Sequence, residues 1–167
     1  MPLDPAIKQA VQPLFDKLPL TEAMTALTPT QPRSAELSSL AASVVASPAI
    51  AAHPALASAI WLYVDELDKS HTISQSIETP TGSYWHGVMH RREGDFSNSH
   101  YWFRNAGDHP AIPVIAEASP GYDPHQFIDD VERAATGKAD GDSDTASLIA
   151  RQQQEWLAMF TWCAANP

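Results

Sequence analysis

A chain of 167 residues that is 44 % hydrophobic is long enough to bury a substantial core and too apolar for wholesale disorder. Twenty acidic against ten basic side chains give a net charge of −10, which argues against broad electrostatic binding to nucleic acid or anionic lipid. Cys163 is the single cysteine, so neither an internal disulfide nor a thiolate metal cluster is open to this chain.

The start, Met1-Pro2-Leu3-Asp4-Pro5, lacks the basic and apolar regions of a signal peptide, and a cytoplasmic location is the expectation. Pro5 to Lys17 reads as a helix with Ile7, Val11, Leu14 and Phe15 on one stripe and Asp4 as N-cap. Leu20 to Arg33 holds Pro29 and Pro32 and reads as turn and loop. Ser34 to Ser47 is a second helix, ended by Pro48. The most apolar stretch, Leu40 to Ala52, is too short to span a bilayer, so no membrane association is expected.

His53-Pro54 opens the strongest core helix. Leu56, Ile60, Tyr63, Val64 and Leu67 recur at helical spacing, and the helix is expected to run on through Asp65 to His71 and toward Ile77. After the break at Thr79 to Gly82, Ser83 to Arg92 fits a short helix with Gly94 as its stop. Asp95 or Ser97 caps the next helix, which reaches Asn105. Asp108 to Tyr122, rich in proline, reads as a packed loop, with Ile112 to Ile115 the one candidate strand. Pro124 to Ala135 is helical, Gly137 to Asp144 reads as an exposed acidic loop, and Thr145 to Ala165 forms the last helix. The expectation is a single all-α domain over residues 1–167, an irregular bundle of six or seven helices.

Four of the seven histidines fall in one segment, residues 83–110, which is also formally neutral: Arg91, Arg92 and Arg104 balance Glu93, Asp95 and Asp108. His86, His90 and Glu93 stand at i, i+4 and i+7, within about 60° of one another on a helix. Neutral imidazole and carboxylate groups suit Zn²⁺ or Fe²⁺, so His86, His90 and Glu93 are the candidate metal ligands. His71, one turn from Asp68, could arrive from the neighbouring long helix as part of a carboxylate–histidine pair. No His-Glu-x-x-His motif, pair of Glu-x-x-His motifs, phosphate-binding glycine loop or Gly-x-Ser-x-Gly elbow occurs.

The same residues also have a purely structural reading. His86 and His90 can be held by hydrogen bonds, and the arginines can pair with carboxylates to join two helices. Co-occurrence tips the segment toward function, because buried charges and imidazoles are costly where Leu and Ala would serve. Arginine and aromatic residues together also suit a polar pocket. Cys163, amid the apolar last helix, reads as inert core.

The run Tyr84-Trp85-His86-Gly87-Val88-Met89-His90-Arg91-Arg92-Glu93-Gly94-Asp95-Phe96-Ser97-Asn98 is followed by Tyr101-Trp102-Phe103-Arg104 and Gly107-Asp108-His109-Pro110. It resembles a family of short, uncharacterised bacterial and fungal proteins that share a Trp-His-Gly-x-Met-His-Arg-Arg-Glu block. The resemblance covers about residues 83–110 and implies no mechanism.

Two functions compete. The first is a small enzyme with a His/Glu/Arg pocket. In it His90, Glu93, His100 and His109 supply acid/base chemistry. Arg91, Arg92, Arg104, Trp85, Tyr101 and Trp102 bind a small anionic substrate, and Zn²⁺ or Fe²⁺ is an optional cofactor. The second is a non-catalytic helical module that binds a small acidic ligand or a protein partner through the same aromatic and arginine-rich surface. A homo-oligomer is compatible with either.

Overall fold

Side-chain caps open five of the helices. The computed structural model describes residues 3–137 and 142–166, and these contain ten α-helices and no strand. Asp4 accepts from Ala6 N at 2.8 Å to open α1 (Pro5–Lys17), and Ser34 accepts from Leu37 N at 3.2 Å to open α2 (Ala35–Val45). A single turn, α3 (Pro48–Ala51), precedes α4 (Pro54–Tyr63) and α5 (Leu67–Ser74). Thr79 caps α6 (Pro80–Glu93), and Gly94 ends it with φ 86°, the left-handed conformation that glycine adopts without strain. Asp95 caps α7 (Phe96–Ala106) through Asn98 N at 3.1 Å. There follow α8 (Ala111–Ala118), α9 (Pro124–Ala135), capped by Asp123, and α10 (Asp142–Ala165).

The helix count is therefore ten rather than six or seven, and each difference has a local cause. The long helix expected from His53 divides at Val64 to Glu66, where Asp65 takes φ 63° and starts α5 in a new direction. Arg92 stabilises that break: its guanidinium donates to Leu62 O and to Asp65 Oδ1, both at 2.6 Å. The expected loop and strand at 108–122 instead contain α8. Pro113 sits in its first turn, where a backbone N–H would have no intrahelical partner. Helix α6 starts three residues earlier than expected because proline at its first position is already set for a helix. Of the expected acidic loop 137–144, residues 138–141 lie outside the described residues, and Asp142 is helical.

Two helices form the centre. In α4 all eight residues from Leu56 to Tyr63 are buried, and in α6 every residue from Tyr84 to Arg92 is buried. A helix covered on all sides cannot be amphipathic, so α6 carries its polar groups inward and must pair them there. The fully buried Arg91 forms a two-pronged ion pair with Glu155 of α10 and lies over the Phe127 ring of α9, 4.2 Å from its centroid. Tyr122 adds a donor to Glu155 at 2.5 Å, and Tyr84 bonds Tyr122 at 2.6 Å. Burial, and then the Glu155 charge, push both phenols well above their ordinary pKa, so they remain hydroxyl donors. Trp156 Nε1 donates to Ala59 O at 2.9 Å and ties α10 to α4.

The approach of α7 to α6 depends on Gly87. A Cβ there would stand 2.7 Å from the Phe103 ring, and Ser99 Oγ donates to Gly87 O at 2.7 Å. On the other side, Ser58 and Ser70 meet at 2.8 Å between α4 and α5. Small residues thus bring α7 close against α6 and α5 close against α4.

Candidate metal centre

His86 and His90 project from one face of α6 toward α5, where His71 faces them. One ring nitrogen from each of the three lies within 4.8 Å of the others. Ring centroids are 4.8 Å apart for His71 and His86, 5.3 Å for His71 and His90, and 4.7 Å for His86 and His90. His86 and His90 are buried and His71 is half-buried, which leaves one open edge. Trp102 covers the outer face of His86 with ring centroids 4.1 Å apart.

The hydrogen bonds around the cluster select the His90 tautomer and hold the His86 ring. Glu93 Oε2 lies 3.2 Å from His90 Nδ1, and a carboxylate only accepts, so His90 carries its proton on Nδ1. Ser74 Oγ donates to His71 O and lies 3.3 Å from His86 Nδ1. Ser74 thus links the His71 backbone to the His86 ring. In the neutral His90 ring Nε2 is left as a lone pair. Such outer hydrogen bonds orient metal-ligating histidines.

Electrostatics point the same way. Burial lowers the His86 pKa from 6.5 to about 4, and the neighbouring His90 and His71 rings add to the effect. Burial also lowers His90, with Glu93 opposing. Both rings are neutral near pH 7, the form that binds a metal. A tetrahedral ion with metal–nitrogen bonds near 2.0–2.1 Å needs its ligating nitrogens about 3.3 Å apart. Binding would therefore draw the three nitrogens closer together than the 4.8 Å that bounds them here. These three residues could hold a metal ion.

The other candidate residues are placed as follows. Glu93 is bonded to the back of His90 and does not share the cluster. Arg91 and Arg92 are fully buried and engaged by Glu155 and Asp65, and Trp85 is fully buried in the core. Trp102 lies on His86, Tyr101 is half-exposed beside it, and Arg104 is exposed. His100 bonds His125 and Asp129 on α9. His109 is buried. Its Nδ1 accepts from Ala111 N at 3.1 Å and its Nε2 lies 3.1 Å from Thr81 Oγ1, so both nitrogens already have partners. Cys163 is buried, and burial pushes its thiol up to about 12. Ser74, His125 and Asp129 entered no sequence motif, because each meets its histidine from a different helix.

A cleft of about 620 Å³ is lined by residues 28–32 and by Asp65, Glu66, Asp68, Glu93 and Phe96, among others. Of these residues Glu93 bonds the outer nitrogen of His90, and none of the three histidines is in the lining. Arg92 pairs with Asp65 and Lys69 with Glu66, which leaves Asp68 and Glu93 to set a negative lining.

Fold and site together define an all-α protein with a three-histidine cluster between two of its helices. Compared with known proteins, the chain matches no family model, no curated protein and no solved structure. No helix among the described residues is long and apolar enough to cross a membrane.

Proposed function

We propose that this protein is a small metal-dependent enzyme whose ion, Zn²⁺ or Fe²⁺, is held by His71, His86 and His90. The observation that carries the reading is the convergence of three imidazoles from two helices, two of them buried, neutral and fixed through Nδ1. A purely structural cluster has no need for three rings with a nitrogen of each within 4.8 Å of the others. Three nitrogen ligands hold a catalytic ion and leave a position open for water or substrate, where the ion acts as a Lewis acid and acidifies bound water.

This chain's own residues complete the site. Glu93 fixes the His90 tautomer, Ser74 bonds the His86 ring, and Trp102 shields His86 from solvent. Glu93, on the cleft wall, is placed to exchange a proton with a molecule bound there. The substrate is small. An anionic substrate finds little support, because Arg91 and Arg92 are spent on the core and the cleft lining is acidic; a neutral or cationic one fits better.

Metal content of the purified untagged protein, measured by mass spectrometry, tests the reading. Near-stoichiometric metal in the wild type, lost in His86→Ala/His90→Ala and reduced in His71→Ala, is the expected result. A wild type that carries no metal and takes up no added Zn²⁺, Fe²⁺ or Mn²⁺ would overturn it.

A further inference from the structure

A second pair of histidines lies on another helix interface. His100 on α7 and His125 on α9 have their Nδ1 atoms 2.8 Å apart, with ring planes within 3° and centroids 5.1 Å apart. Parallel rings whose nearest nitrogens are so much closer than their centroids meet edge to edge in one plane. The contact is a hydrogen bond and not a face-to-face stack.

Asp129 Oδ1 lies 3.0 Å from His100 Nε2. A carboxylate only accepts, so His100 carries its proton on Nε2 and presents a bare Nδ1, and His125 donates its Nδ1–H to that lone pair. His125 Nε2 is free to take one further proton. That proton leaves the link intact and makes it charge-assisted. A second added proton has only His100 Nδ1 to occupy, where N–H would then face N–H across the link.

We propose that His100 and His125 form an acid-released latch between α7 and α9, closed with no or one added proton and opened by two. The latch has a mechanical consequence. Phe96, at the start of α7, and Ala135 and Thr136, at the end of α9, line the large cleft, so releasing α9 loosens one of its walls. The inference stands whether or not a metal is bound at the other histidines.

The charged groups around the pair are mixed. Asp129 and the cap residue Asp123 favour protonation, while Arg104 of α7 opposes it. From α10, Arg151 reaches Asp130 at 3.7 Å and not the latch. Burial, and then the neighbouring His100, hold His125 below the usual histidine range. That shift concerns the first added proton, which leaves the link closed; the second would be added beside an already charged ring and needs more acid still.

Hydrogen exchange of backbone amides, corrected for intrinsic rates, tests the latch. Between about pH 7 and about pH 5, protection in α9 of the wild type should fall roughly tenfold or more beyond any fall in α4. His100→Gln should abolish the response. The glutamine oxygen accepts from His125 whether that ring is neutral or charged, and its amide still donates to Asp129. His125→Gln should be equally insensitive, and it carries the test if the first variant does not fold. No pH-dependent loss in the wild type, or an equal loss in the glutamine variants, would overturn the proposal. So would the absence of scalar coupling across the N–H···N link in the wild type near pH 7.

Discussion

Acid should destabilise this protein through His109, by an amount its surroundings define. The ring is 2 % exposed, Nδ1 accepts from Ala111 N, and Nε2 donates to Thr81. A proton added at Nδ1 would break the first bond and place a charge between the Tyr84 and Trp162 rings, whose centroids are 5.5 and 4.6 Å away. Burial accordingly lowers the pKa from 6.5 to about 4. Because the folded value lies below the unfolded one, the stability is fully present above about pH 6.5 and is lost as pH falls toward 4. At about 1.4 kcal/mol per pH unit, the loss from this one group is roughly 2 kcal/mol at pH 5 and approaches 3.4 kcal/mol below pH 4. His86, also lowered to about 4, adds a similar loss in metal-free protein. Urea unfolding of metal-free wild type and His109→Gln at pH 7 and pH 5 isolates the His109 share. The wild type should lose about 2 kcal/mol more than the variant between the two pH values. Equal losses, to within about 0.5 kcal/mol, would refute the reasoning.

Three substitutions extend the account. Gly87→Ala pushes a Cβ to 2.7 Å from the Phe103 ring, between two central helices. It should cost about 1–3 kcal/mol in denaturant unfolding. Arg91→Met leaves Glu155 buried and unpaired beside two tyrosine hydroxyls, and a loss of roughly 3–5 kcal/mol is expected, with part recovered in the double variant Arg91→Met/Glu155→Met. Glu93→Gln keeps the hydrogen bond to His90 but removes its charge. Calorimetric titration with Zn²⁺ should show affinity about tenfold weaker. Because the side chain is 48 % exposed, stability without metal should change by less than about 0.5 kcal/mol.

Much of the helical framework is legible in the sequence, because Asp4, Ser34, Asp95 and Gly94 act locally and their effect depends on spacing alone. The pairing of His86 with His90 is legible for the same reason: four residues make one helical turn. The third member is harder to place. Glu93 stands on the right face but reaches the outer nitrogen of His90, while His71 comes from α5, whose direction depends on the break at Asp65. That break depends in turn on Arg92, 27 residues away. The arginines mislead a sequence reading for a related reason. A charged pair in a helix normally faces solvent, and only Glu155, 64 residues on, shows that Arg91 points inward. In α8 a proline at the third helical position looks like a breaker until the first turn is seen to need no donor there.

The central claim is that His71, His86 and His90 bind one ion together. Anomalous diffraction from crystals of the metal-loaded protein, recorded at the absorption edge of the ion, tests it most directly. The account predicts a single strong peak about 2.0–2.2 Å from a nitrogen of each of the three rings, with Glu93 still on His90 Nδ1. A peak elsewhere, or one ligated by Glu93 without His71, would contradict it.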